Sequence, residues 1–149
     1  MSAQASDRSQ DIKYLNAFLK SELSAVETYN QCIKKLDDVT VTSGLSDLQT
    51  SHQRRAELLR QKIRELGGTP EDSSGLWGSL AKAVEGGASL FGNRSSLAVL
   101  EEGEDRGRDE YIEKSDNLSP DLQRFVNAEL LPEQRRSHDE LNRIQQSLH

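Results

Sequence analysis

Ile12, Leu15, Leu19, Glu22, Val26, Tyr29, Ile33 and Leu36 recur at alternating intervals of three and four residues. That spacing draws one stripe along an α-helix and does not fit the period-two alternation of a strand. A second stripe, Leu45, Leu48, His52, Ala56, Leu59, Ile63 and Leu66, predicts a helix from about Leu45 to Leu66, stopped by Gly67-Gly68. A third begins near Ser95 or Ser96 and carries Leu97, Leu100, Glu104, Gly107 or Arg108, and Tyr111. Ser119-Pro120 reads as a cap with proline in the first turn of a fourth helix. That helix bears Leu122, Phe125, Glu129, Leu131, His138, Leu141, Ile144 and Leu148, and Pro132 inside it predicts a kink.

The expected fold is therefore all-α, an up-down four-helix bundle with one long crossover. Residues 1–10 are polar and predict a disordered tail. The bundle occupies 11–149, with a first hairpin over 11–66, a crossover over 67–94 and a second hairpin over 95–149. Asp37 to Gly44, rich in Asp, Thr, Ser and Gly, reads as the first loop. The crossover holds Trp77 and one short helix. Its apolar residues, Leu76, Trp77, Leu80, Val84, Leu90 and Phe91, either cap the bundle by laying Trp77 over the core, or form the contact of a homodimer or a membrane-surface segment, the last favoured only by Lys82 and Arg94.

A chain of 149 residues fits one domain. Twenty-five acidic and 19 basic side chains leave a net charge of −6, which argues against a nucleic-acid binder. No stretch approaches the ~18 apolar residues of a membrane span, and the N-terminus lacks the pattern of a secretory signal. Cys32 is the only cysteine, so neither a disulfide framework nor a multi-cysteine metal site can form within one chain. These features together predict a cytoplasmic location. Gly67-Gly68 and Gly86-Gly87 lack the lysine and strand of a phosphate loop, and three histidines offer no Ser/His/Asp set.

The apolar stripes are interrupted by groups that are costly to bury. Glu22, His52 and Glu104 each fall where a core residue belongs. The halves also repeat: Glu22 and Tyr29 recur as Glu104 and Tyr111, both 82 residues on, and His52 is followed by His138 after 86. Carboxylates and imidazoles projecting inward from facing helices are how bundles build metal sites. Glu22, His52, Glu104, Glu129 and His138 are the candidate ligands, with Fe, Mn or Zn as the cofactor. The alternative is a structural polar layer. In it His52 pairs with Glu104, the Tyr29 and Tyr111 hydroxyls meet those two groups, and Glu22 bridges to Arg55 or another arginine of the next helix. With the first loop centred near residue 41, Glu22 and His52 differ in height by ~12 Å. Glu104 and His138 differ by ~9 Å. Tyr29, His52, Glu104 and Glu129 then form a competing mid-bundle set.

Leu19-Lys20-Ser21-Glu22-Leu23-Ser24-Ala25-Val26-Glu27-Thr28-Tyr29, Arg64-Glu65-Leu66-Gly67-Gly68-Thr69-Pro70, Gly75-Leu76-Trp77-Gly78, Glu102-Gly103-Glu104 with Glu110-Tyr111, and Glu129-Leu130-Leu131-Pro132 together resemble a bacterial family of small ferritin-like bundle proteins of unknown function. The resemblance spans about residues 11–147 and implies a ferritin-like fold and a stress-related role. Rubrerythrins and other di-iron relatives carry a Glu on the first and third helices and Glu-x-x-His on the second and fourth. Glu22 and Glu104 match the former, and His52 and His138 match the histidines. Gln49 and Arg135 stand where the paired carboxylates would be, and no CxxC pair is present for a rubredoxin-like donor.

Overall fold

The computed structural model describes residues 2–72 and 93–148, with side chains from residue 7 in the first stretch and residue 94 in the second. Helix α1 spans Ser2–Lys35, α2 Val39–Glu65 and α3 Asn93–Ser115. The fourth rod is built from α4 (Pro120–Phe125), a π-helical stretch (Val126–Leu130) and α5 (Leu131–Gln146). Among the described residues the architecture is all-α, as the stripes require. The Trp77 segment and its expected short helix lie outside the described residues.

Two boundaries differ from expectation. α1 is helical from Ser2, inside the ten polar residues expected to form a disordered tail. α2 starts at Val39, six residues before Leu45. Asp38 caps it: its backbone is extended and its carboxylate accepts from the Val41 N–H at 3.1 Å. The stretch Asp37 to Gly44 is thus mostly the first two turns of α2. The cap outweighs the modest helix propensity of Val39-Thr40-Val41-Thr42. At the other end the reading of Gly67 holds. It sits at φ +83°, and the Gly68 N–H reaches the Ile63 carbonyl at 2.9 Å, the bond that closes a helix through a left-handed residue.

Side-chain contacts fix the topology. The chain leaving α2 lies beside the first half of α1, where the Asn16 amide donates to the Thr69 carbonyl at 3.1 Å and accepts from the Glu71 N–H at 2.8 Å. α3 starts at the opposite end, where Cys32 of α1 lies against the Ser96 carbonyl. α1 and α2 run antiparallel, as do α3 and the fourth rod, while α2 and α3 run parallel. The second hairpin does begin from the far end of the bundle. Asp11 ties the lower end shut by accepting from the Ser119 backbone N–H at 3.0 Å and its hydroxyl at 2.8 Å. Ser119 spends its hydroxyl there and makes no side-chain cap to the helix that it opens.

The core is split in two. One apolar cluster holds Tyr29, Cys32, Leu45, Leu48, Leu97, Leu100 and Leu141. The other holds Leu15, Phe18, Leu19, Leu59, Ile63, Tyr111, Val126 and Leu130. Cys32 is wholly buried, and burial pushes its thiol up to about 12, so it packs as a small apolar residue. Between the clusters runs a layer of buried charge.

Pro132 shapes the fourth rod through the residues before it. Proline has no N–H to offer the Ala128 carbonyl, and its ring crowds that oxygen. The chain widens instead: the Leu131 N–H bonds the Val126 carbonyl, five residues back. The inward residues are Leu122, Val126, Leu130, Gln134, Ser137 and Leu141, so the widened turn carries the inward face one residue on, past Glu129. Leu59 is wholly buried and Val39 is 78% exposed. Leu59→Ala is therefore expected to lower unfolding free energy by about 2–5 kcal/mol. Val39→Ala should stay within about 0.5 kcal/mol, both read from urea denaturation.

Candidate functional site

Six buried side chains from the four rods meet between the apolar clusters: Glu22 of α1, His52 and Arg55 of α2, Glu104 of α3, and Gln134 and Ser137 of α5. The imidazole of His52 is the hub. Its Nδ1 lies 2.5 Å from Glu22 Oε1, and its Nε2 lies 2.7 Å from Glu104 Oε2. Each carboxylate also accepts a tyrosine hydroxyl from the opposite half. Tyr29 donates to Glu104 Oε2 at 2.5 Å, and Tyr111 donates to Glu22 Oε2 at 2.5 Å.

Arg55 closes the layer. Although it is an arginine, it is wholly buried. Its Nε lies 3.5 Å from Glu22 Oε2 and 3.4 Å from the Ser51 carbonyl. Nη1 donates to Gln134 Oε1, while Nη2 donates to Ser137 Oγ at 3.2 Å and sits 3.0 Å from His52 Nδ1. Glu104 Oε1 takes the Ser137 hydroxyl at 2.7 Å and the Gln134 amide at 3.0 Å, and its backbone carbonyl takes that amide at 2.7 Å. Among the described residues no buried side-chain nitrogen or oxygen lacks a partner. Gly107 makes room for this bonding: a Cβ there would meet Gln134 Nε2 at 2.9 Å.

The charges cancel. Glu22 and Glu104 bring two negatives, and Arg55 brings one positive. The second positive is the proton between Glu22 Oε1 and His52 Nδ1, whichever of the two atoms holds it. Burial alone would push Glu104 up, but His52 and Arg55 outweigh it and hold the carboxyl at about 2. Glu22 is likewise lowered, with burial opposed by Arg55 and His52. His52 is pushed down by burial and by Arg55, and is raised on balance by Glu104 and Glu22. Burial, then the neighbouring carboxylate, drives Tyr29 and Tyr111 well above the ordinary phenol. The space beside the layer, between Glu22, His52, Glu110 and Gln134, is about 10 Å³, room for one water at most.

The five expected ligands divide. Glu22, His52 and Glu104 come together; Glu129 and His138 do not. Glu129 is exposed on the outer side of the π-helical stretch. His138 lies half-buried near the surface, its Nε2 2.7 Å from Asp105. The ~12 Å height gap vanishes because the turn between α1 and α2 is centred near Asp37, not residue 41, which sets Glu22 and His52 equally far from it. The mid-bundle set loses Glu129 to the widened turn before Pro132, and His138 lies one turn beyond Gln134, the residue that the fourth rod sends into the layer. Gln134 and Ser137 were not foreseen, yet one signal points to them. The 82-residue offset of Glu22/Glu104 and Tyr29/Tyr111 also relates His52 to Gln134 and Arg55 to Ser137.

The geometry is that of a ferritin-like bundle, and a solved relative agrees. A ferritin-like, diiron-carboxylate protein from Bacillus anthracis str. Ames shares the fold at a TM-score of 0.74, with 20% identity over 93% of this chain and 97% of its own. Residues 10–119 match the family described as a domain of unknown function, DUF2383, and the chain belongs to that family. No curated protein matches it in sequence. Among the described residues no helix is long and apolar enough to cross a membrane.

The donor set does not fit a two-metal carboxylate centre. Such a centre draws on four carboxylates and two imidazoles, and this layer offers two carboxylates and one imidazole. Glu22 and Glu104 lie on opposite edges of the His52 ring, so no single point is within bonding reach of all three. Among the described residues no three His, Cys, Asp or Glu side chains are placed to hold a metal ion. A buried guanidinium adds positive charge where a cation would have to enter.

The pH dependence follows from the directions above. Glu104 is depressed, so its contribution is full above about pH 4.5 and lost as pH falls toward about 2. His52 is raised, so its contribution is full below about pH 6.5 and lost as pH rises through its folded value. Urea midpoints against pH should show both limbs, and His52→Gln should flatten the alkaline one. Glu104→Ala should cost about 3–5 kcal/mol, and Glu129→Ala within about 0.5 kcal/mol.

Proposed function

We propose that this protein is a metal-independent, non-catalytic ferritin-like bundle, a helical interaction module whose Glu/His/Arg/Tyr layer sets the register of its four rods. The observation that carries this reading is Arg55. Its guanidinium is wholly buried at the centre of the layer and bonded to groups from α1, α2 and α5. A guanidinium stays protonated at any working pH, so a metal cation entering here would meet a fixed like charge. The neighbouring cavity of about 10 Å³ supports the non-catalytic part, because a substrate needs space beside the reacting groups.

The competing reading is a single Fe, Mn or Zn at Glu22, His52 and Glu104, the three candidate ligands that converge. The two separate cleanly. Untagged protein is reconstituted anaerobically with Fe(II), Mn(II) or Zn(II), desalted, and analysed for metal. Substoichiometric metal and an unchanged melting temperature are expected. One or more equivalents retained by the native chain, and lost in Glu104→Ala and His52→Ala, would overturn the metal-independent reading.

A further inference from the structure

We infer that the buried layer is a two-metal carboxylate site in backbone and register, with the Arg55 guanidinium and the proton shared by Glu22 and His52 standing in for two divalent cations. This rests on the metal-independent reading just given. In two-metal bundles one Glu comes from each of two helices, and an i, i+3 Glu-x-x-His pair from each of the other two. Here α1 and α3 each supply one Glu to the layer. α2 and α5 each supply one i, i+3 pair, and these read His52-x-x-Arg55 and Gln134-x-x-Ser137, so His52 stands at a carboxylate place and not at the histidine place that the resemblance implies, and His138 stands at neither. All four residues of the two pairs are buried and bonded within the layer.

The charge balance carries the inference further. Four carboxylates with two divalent cations sum to zero. Two carboxylates, one guanidinium and one shared proton also sum to zero. Removing two carboxylates and two dications together, and adding two single positive charges, leaves a layer that can stay buried without ions. The pairing respects the internal repeat as well: His52 with Gln134 and Arg55 with Ser137 follow the same 82-residue offset as Glu22 with Glu104. The two carboxylate places and the two imidazole places of a twofold site are therefore each replaced once per half.

The full chain carrying H52E, R55H, Q134E and S137H tests this, with Co(II) as the probe. Co(II) is titrated anaerobically into the native and fourfold-substituted proteins, and uptake is read by visible ligand-field absorption and by metal analysis after desalting. The substituted protein should retain two Co(II) per chain and melt at a higher temperature with the metal than without. The native chain should retain none. If the substituted protein is folded by circular dichroism yet retains no more Co(II) than the native chain, the inference fails. If it is unfolded alone, it is refolded from urea with Co(II) present. Recovery of helix with two Co(II) supports the inference, and failure to fold with metal overturns it. Uptake by the native chain overturns the preceding functional reading instead, so the two failures are distinct.

Discussion

Two carboxylates cannot lie in an apolar bundle unless positive charge lies there with them. Glu22 and Glu104 are almost wholly buried, and every other feature of the layer answers that constraint. His52 is gripped on both ring nitrogens, Arg55 is drawn in from what would otherwise be a solvent-seeking position, and two tyrosine hydroxyls cross between the halves. Because the bonds run among all four rods, the layer fixes their relative height. The apolar clusters on either side contribute burial but little specificity, since leucine against leucine tolerates a shift of one turn more readily than a bonded carboxylate does.

The fold was legible because helix spacing is a property of the chain itself. The stripe from Leu45 to Leu66 is buried as far as Ile63, that from Ile12 to Leu36 is buried at Leu15, Leu19, Glu22, Tyr29 and Leu36 and half-buried at Ile12, Val26 and Ile33, and left-handed Gly67 falls where Gly67-Gly68 announces it. In the first loop composition and capping point different ways, and capping wins. Val39-Thr40-Val41-Thr42 looks unlike a helix, but Asp38 with an N–H to satisfy three residues on is a start signal. Composition alone produces the apparent height mismatch between Glu22 and His52.

The site was half legible. Glu22, His52 and Glu104 stood out as polar breaks in apolar stripes, and the alternative structural layer contains the His52–Glu104 pair, the Tyr29 hydroxyl on Glu104 and a bridge from Glu22 to an arginine of α2, whereas Tyr111 goes to Glu22 and not to that pair. The fourth rod was only partly legible by counting, since Pro132 marks a break in the regular turn but does not say which residues before it the break carries out of the inward face. A widened turn changes which residues face inward without leaving a mark in the apolar pattern. Gln134 and Ser137 carry no charge and so raise no alarm as buried residues. Only the repeat, applied with one constant offset, would have singled them out.

The crossed tyrosines have a consequence for how the chain is made. Tyr111 serves the acid of the first hairpin, and Tyr29 serves the acid of the second. Residues 2–72 emerging alone from a ribosome would hold Glu22 and an arginine still lacking Gln134 and Ser137, and the later hairpin alone would hold Glu104 without its imidazole. Neither hairpin is a finished product. The layer is whole only where α5 brings Gln134 and Ser137 against α2 and α3.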